Sequence, residues 1–203
     1  MHHRVKNNLQ VISSLVSLQT SSESNPAVRV LLEDVRDRVR TMALVHEKLY
    51  ESANLGAIDF AEYARSLLNY LWRAHGQLAA PVRLTLDMAP VTLSVQAAVP
   101  CGLILNELAC NALKHAFSGR ATGEVMVVLR HDDAGLVRLR VSDNGVGLRH
   151  DLDWRQSTSL GLRLVRLLTE QLGGTVESRL PAGGGTEFEI VFSYHETHPL
   201  PHD

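Results

Sequence analysis

The chain has 203 residues, 45% of them hydrophobic, with a formal net charge of -2 at pH 7. That supports a packed core in one large or two unequal domains and argues against a nucleic-acid binder or a basic membrane-surface protein. No apolar run approaches the roughly 20 residues of a membrane span, and no signal peptide precedes the first patterned segment, so a cytoplasmic protein without a membrane segment is the expectation.

Residues 2–20 carry Val5, Leu9, Ile12 and Val16 at spacings of four, three and four, one stripe of an α-helix. At about 100° per residue, His3, Asn7, Gln10 and Ser14 share the opposite face, whereas His2 falls beside the stripe. The segment TSSESN (residues 20–25) is a polar turn. Asn25-Pro26 then opens a second helix, an amide N-cap followed by proline at the first helical position. Its stripe of Val28, Leu32, Val35, Val39, Met42, His46 and Leu49 alternates steps of four and three, close to a heptad seam. His46 on that seam reads as a packed core histidine. Two antiparallel helices cannot hide such stripes alone, and each fully buried aliphatic side chain is worth about 1.5–3 kcal/mol. Pairing with a second copy as a four-helix bundle, a homodimer, follows.

Past Gly56 the pattern changes. Residues 58–74 read as an amphipathic helix and residues 81–86 as a short strand. Residues 100–117 (PCGLILNELACNALKHAF) read as a helix closed by Gly119; they hold the two cysteines, Cys101 and Cys110, as small buried hydrophobes. A hairpin follows over residues 125–130 and 136–142, then a helix over 160–172 and strands over 175–180 and 186–192. In the last, Phe188, Ile190 and Phe192 alternate with Glu187 and Glu189, as in a strand with one wet face. Helices on one side of a mixed, mainly antiparallel sheet make an α+β sandwich. The division expected is 1–55 for the helical hairpin, 56–194 for the sandwich and 195–203 for a frayed tail. The tail's His195, His198 and His202 have no metal-site pattern.

Three features of the sandwich point to a nucleotide. On the long helix Glu107, Asn111 and Lys114 fall within about 60° of one another, either a solvated polar face or donors for a Mg²⁺-phosphate assembly. Asp143-Asn144-Gly145-Val146-Gly147 leaves a strand as either a hairpin turn or a carboxylate able to accept from an exocyclic amine, with glycines that let backbone approach a ring. Gly161 at a helix start, and Gly183-Gly184-Gly185-Thr186 before a strand, offer amide donors to phosphates. Neither matches a P-loop or a dinucleotide fingerprint.

In that order, NELACNALKHA (residues 106–116) resembles the N box of the Bergerat-type ATPases, DNGVGL (143–148) their G1 box, SLGLRLV (159–165) their G2 box, and GGGTEFEI (183–190) the strand that closes the site. HHRVKNNLQVISSL (2–15) resembles the phosphoacceptor helix of the HWE-related sensor histidine kinases, with its H-R-x-K-N core, and VRTMALVHEKLY (39–50) the second helix of their dimerisation domain. The resemblance implies ATP and Mg²⁺ as cofactors and His3 as phosphoacceptor. It implies Asn111 as a Mg²⁺ ligand, and Glu107 and Lys114 at the metal or phosphate end. Asp143 would read the adenine amine over Gly145 and Gly147. Leu160, Gly161, Leu162, Gly185 and Thr186 would line the nucleotide, Gly161 and Thr186 along its phosphates. Asn7 would sit where some relatives hold a water for dephosphorylation.

The sequence departs from that pattern in three places. Arg4 stands where many histidine kinases have an acidic residue, the segment between Gly147 and Leu160 is short, and the acidic residue expected before the histidine pair is missing. The function implied is autophosphorylation and transfer to an aspartate of a response-regulator receiver domain, with sensing supplied by a domain outside this chain. The ATP domain would swing on the residues from about Glu51 to Asp59. The alternatives are a non-kinase ATPase of the same fold and a scaffold dimer with a dead nucleotide site.

Overall fold

Asn25 separates the first two helices. Its Oδ1 accepts from the Ala27 N–H at 3.0 Å and its carbonyl from the Arg29 N–H at 3.0 Å, with Pro26 at the position that has no amide to lose. In this computed structural model, α1 (His2–Ser22) and α2 (Pro26–Glu51) therefore form a hairpin. The residues described are 2–51, 57–75, 81–148, 154–157 and 159–193, without the side chains of 2–6, 41, 44–51 and 74–75. The facing of His2 and His3, the packing of His46, most of the expected hinge and the tail lie outside the described residues. The chain divides into two compact units, Met1–Leu55 and Gly56–Asp203.

The less exposed side of α1 runs through Leu9, Ser13, Val16 and Thr20, with Thr20 buried. Ile12, expected on that stripe, is exposed. Hydroxyl residues displace it because they satisfy themselves locally: Thr20 Oγ1 donates to the Val16 carbonyl at 2.7 Å and Ser17 Oγ to the Ser13 carbonyl at 2.9 Å. A different apolar row is left outward in the single chain, Val11, Leu15 and Leu18 at 58%, 60% and 69% exposure, together with Val30 and Leu31 of α2.

In the second unit, Asp59 ends a two-residue strand, β1 (Ile58–Asp59), and caps the helix after it. Its Oδ1 accepts from the Glu62 N–H at 2.9 Å, so α3 (Phe60–His75) starts two residues later than periodicity suggests. The strands β2 (Val82–Met88) and β3 (Thr92–Leu93) follow. α4 (Val95–Asn111) is capped by Ser94 and begins ahead of Pro100, which lies inside it rather than at its start. α4 continues into a π-helical turn, Ala112–Ala116. Then come β4 (Gly123–His131), β5 (Leu136–Asp143), a 3₁₀ turn (Trp154–Gln156), α5 (Leu160–Gln171), β6 (Thr175–Arg179) and β7 (Glu187–Ser193).

The five-stranded sheet runs β2-β4-β5-β7-β6, parallel only between β2 and β4, while β1 and β3 pair separately. Val125, Leu129, Leu139 and Ile190 from the sheet are fully buried, as are Leu68, Leu71, Ile104 and Leu105 from α3 and α4. This is the α+β sandwich expected. One face of β7 is less wet than its alternation suggests. Glu189 is buried, accepts from Arg140 at 2.8 Å and has Arg138 and Arg179 within 4 Å. Of the two cysteines, Cys101 is buried and Cys110 half-buried. Among the described residues no helix is long and apolar enough to cross a membrane.

Candidate nucleotide site

α4 is almost wholly buried from Ala97 to Ala109, and its last turn brings Asn111 to the edge of the core. The π-helical turn that follows takes an extra residue per turn, so side chains beyond Asn111 rotate away from an α-helical projection. The row expected for Glu107, Asn111 and Lys114 is therefore broken. Glu107 is 4% exposed, one turn deeper than Asn111, and Lys114 is out in solvent; neither is on the wall of the cavity described below. His115 takes that place beside Asn111.

Asp143 is the last residue of β5. Its N–H donates to the Thr186 carbonyl at 2.8 Å, while its Oδ1 accepts from the amides of Gly145 at 2.9 Å and Thr186 at 3.3 Å. Burial pushes the carboxyl above the ordinary aspartate range, opposed by those two N–H groups and by the charge of Arg120. The loop it opens has no room for side chains at two glycines. A Cβ on Gly145 would lie 2.2 Å from the Ala116 carbonyl oxygen, and one on Gly185 would lie 1.9 Å from the Asp143 carbonyl oxygen at a φ of 89°. The Val146 N–H donates to that same Ala116 carbonyl at 2.8 Å, so the loop lies flat on the π-helical turn.

Between these segments is a cavity of about 280 Å³. Its walls are Leu108, Asn111, Ala112, His115 and Ala116 from α4 and its π turn; Val141 and Asp143 from β5; Gly147, Leu148, Ser157 and Ser159 from loops; and Leu162, Thr186 and Phe188. Phe188 is held from behind by Trp154, edge to face with centroids 5.3 Å apart, and the Arg155 guanidinium lies 5.2 Å from the Trp154 ring. At the opposite wall α5 begins without a side-chain cap. Ser157 Oγ donates to Ser159 Oγ at 3.0 Å, and the first helical bond runs from Arg163 N–H to the Ser159 carbonyl. The amides ahead of it, on Leu160, Gly161 and Leu162, make an anion-favouring helix start.

Of the residues expected at the nucleotide, Asn111, Asp143, Gly147, Leu162 and Thr186 line the cavity. Gly145 and Gly185 are not on its wall but pack against the Ala116 and Asp143 carbonyls, Gly161 is buried at the start of α5, and Leu160 points out to solvent. Thr186, expected along the phosphates, is on the cavity wall with its backbone bonded to Asp143. His3 and Asn7 lie on α1 in the other unit, and Asn7 is exposed. Sequence reasoning missed His115, Ser157, Ser159, Leu108, Val141, Leu148 and Phe188. His115 stands four residues after Asn111, a spacing that could have been read.

Residues 1–75 match a family described as histidine kinase, and residues 97–196 match the histidine kinase-, DNA gyrase B- and HSP90-like ATPases. Blue-light-activated histidine kinase 2 of Erythrobacter litoralis is 30% identical over 202 residues, 97% of this chain and 57% of the relative. The sensor histidine kinase PdtaS of Mycobacterium tuberculosis is 32% identical over 92% of this chain and 37% of its own length. Among solved structures, a blue-light activated histidine kinase of Erythrobacter litoralis superposes with a TM-score of 0.74 at 25% identity, over 95% of this chain and 60% of that one. The histidine kinase domain of that protein gives a TM-score of 0.71 at 22% identity, a likeness of fold covering 92% of this chain and 94% of the other.

Proposed function

Since the chain belongs to the histidine kinases, with the phosphoacceptor-type segment ahead of the ATPase-type one, we propose that it is the kinase portion of a two-component sensor. It phosphorylates its own His3 from ATP and passes the phosphoryl group to an aspartate on a response-regulator receiver domain. The observation that carries this reading is Asp143, held by two backbone amides on the wall of a 280 Å³ cavity whose other walls are Asn111 and the uncapped start of α5.

In that cavity the Asp143 carboxylate accepts from the adenine amine, over backbone that Gly145 and Gly147 keep free of side chains. Phe188, Val141 and Leu108 supply the apolar walls a base needs. The phosphates run toward the amides of Leu160, Gly161 and Leu162, where the helix dipole favours negative charge. Mg²⁺ needs no protein cage, because it keeps several waters and is held by one or two protein oxygens plus substrate phosphates. The Asn111 carboxamide on the cavity wall fits that role; bound there, the ion neutralises phosphate charge. In this reading Glu107 acts from the core behind Asn111 and Lys114 from the solvent side, neither on the cavity wall.

His3 supplies the nucleophile. A neutral imidazole, with a reference pKa of about 6.5, offers a ring-nitrogen lone pair at neutral pH. That lone pair forms the N–P bond as the bond between the γ-phosphorus and the bridging oxygen breaks, ADP leaves with that bond's electron pair, and the ring gives up its other proton to solvent water. Such transfer depends mainly on in-line placement and charge neutralisation, and Arg4 and Lys6 near His3 in sequence suit the new phosphate charge. Asn7, four residues after His3, would hold a water for dephosphorylation, which releases inorganic phosphate. The chain acts as a homodimer through the outward apolar row of α1 and α2, and the sensing domain is a separate stretch of protein.

The test is incubation with γ-labelled ATP. The wild-type chain acquires label that is lost in acid and retained in base; His3→Gln eliminates it while ATP binding persists, and His2→Gln retains most of it. Label that persists in His3→Gln and vanishes in His2→Gln reassigns the phosphoacceptor, and no label on either protein leaves a scaffold.

A further inference from the structure

The loop that carries Asp143 is clamped by a side chain outside the cavity wall. Arg120 follows the π-helical turn through a bend in which Gly119 has a φ of 76° and the Arg120 N–H donates to the Phe117 carbonyl at 3.1 Å. From there its guanidinium reaches across 24 residues of sequence. Nη1 donates to the carbonyl of Asn144 at 3.0 Å and Nη2 to the carbonyl of Gly145 at 2.9 Å. These are the carbonyls of the two residues that follow Asp143. The Val146 N–H also donates to the Ala116 carbonyl, and Asn144 is paired with Glu124 through its Oδ1 at 2.8 Å and its N–H at 3.2 Å, but neither contact reaches the carbonyls of Asn144 and Gly145.

Carbonyl oxygens crowded on one side of a turn repel one another, and the turn keeps its shape only if donors lie between them. A planar fork with two donors at fixed separation meets two successive carbonyls at once; an ammonium on a flexible stem is a single point charge and does not. The consequence reaches Asp143 directly. Its Oδ1 accepts from the Gly145 amide at 2.9 Å, and that amide is part of the peptide plane whose other end is the Asn144 carbonyl. Fixing the Asn144 carbonyl therefore fixes the direction of the N–H that orients the carboxylate.

We propose that Arg120 is a positioning residue for the nucleotide, holding the Asn144 and Gly145 carbonyls so that the Asp143 carboxylate is presented to the adenine amine. It touches neither the base nor the phosphates. The proposal rests on the reading of Asp143 as the adenine acceptor. Because the clamp acts on the base end of the site, it sets affinity and base selectivity and leaves the phosphoryl-transfer step alone.

The experiment measures ATP and GTP affinity by calorimetry, and the rate of self-labelling against ATP concentration, on the full chain with Mg²⁺. The proteins are wild type, Arg120→Ala, Arg120→Lys and Asp143→Asn. Losing two hydrogen bonds from a charged donor predicts a fall in ATP affinity of about tenfold in Arg120→Ala. Arg120→Lys, which keeps the charge and loses the fork, falls by about fivefold rather than matching wild type. In both the ATP-over-GTP preference shrinks, the ATP concentration for half-maximal labelling rises and the maximal rate is retained. Arg120 is exposed, so its replacement should leave the melting temperature close to wild type; a purely structural role would instead lower the melting temperature and leave the affinity of folded protein unchanged. Unchanged ATP affinity in Arg120→Ala, with affinity lost in Asp143→Asn, overturns the clamp alone. Full rescue by lysine also overturns it, since charge would then suffice. Affinity unchanged in Asp143→Asn removes the adenine reading and the clamp's role with it.

Discussion

Asp143 is held in a position that costs the empty protein something. Burial raises its carboxyl above the ordinary aspartate range, and the Gly145 and Thr186 amides and Arg120 only partly offset this. A carboxyl whose folded value lies above its unfolded one binds its proton more tightly when folded. Its stabilising contribution is complete below the ordinary aspartate range and is lost as pH rises through the folded value. At neutral pH the ionised group is thus a net burden on the apo fold. Asp143→Asn keeps an oxygen that accepts from both amides and removes the charge. The apo variant is expected to melt at or above the wild-type temperature at neutral pH. That advantage narrows as pH falls toward the ordinary aspartate range. The same substitution weakens ATP binding by about 1.5–3 kcal/mol, the scale of a lost hydrogen bond to a charged group. Thermal melts followed by circular dichroism across that pH range, with calorimetry alongside, check both halves. A variant equally destabilised at every pH means the carboxylate charge is not the cost.

At the level of elements, the loop before β7 shows how identical letters acquire different physical weight. Gly183, Gly184 and Gly185 read alike in sequence, yet a Cβ on Gly183 meets nothing within 4 Å, whereas one on Gly185 runs into the Asp143 carbonyl. Gly183→Ala should stay within about 0.5 kcal/mol of wild type. Gly185→Ala combines a steric clash with backbone at positive φ and should cost about 1–3 kcal/mol, with ATP binding lost because Asp143 must move. Urea unfolding of both variants distinguishes them; equal stability would mean that the loop yields freely. The same contrast explains what was legible. β5 and β7 show in the alternation of Leu139 and Val141, and of Phe188, Ile190 and Phe192. Asp143 was legible because it ends such a strand before a glycine loop. The π-helical turn was not, because a projection at a fixed angle per residue carries Lys114 onto the Asn111 face, where the wider turn moves it away and keeps His115. β3 is two residues long, too short to show alternation. Leu9 and Val16 lie on the packing side of α1 as their spacing predicts, but Ile12 does not, because half-buried Ser13 and buried Thr20 share that side and a count of apolar letters passes over them.

For the whole molecule, the question is what covers the outward row of the first unit. Val11, Leu15 and Leu18 span about two helical turns, and Val30 and Leu31 of α2 are exposed as well. Burying an aliphatic side chain fully yields about 1.5–3 kcal/mol, and in a symmetric pair each copy contributes the same row. These side chains are 54–69% exposed, so covering five from each of two chains yields a part of that value, comparable to the roughly 4–15 kcal/mol that association costs, and a second copy is the partner expected. Leu15→Glu with Leu18→Glu would bury carboxylates without partners at the centre of that interface, which is strongly unfavourable. The double variant is expected to be monomeric at micromolar concentration where wild type is dimeric, as read by light scattering. Its ATP affinity should match wild type, because every residue lining the nucleotide cavity belongs to the unit Gly56–Asp203. Its self-labelling then reports the direction of transfer: a rate that survives in the monomer places His3 and the ATP in one chain, and a rate lost with the dimer places them in two. A wild-type chain that is monomeric at micromolar concentration would sink the paired bundle, and a row covered by some other protein would have to be sought instead.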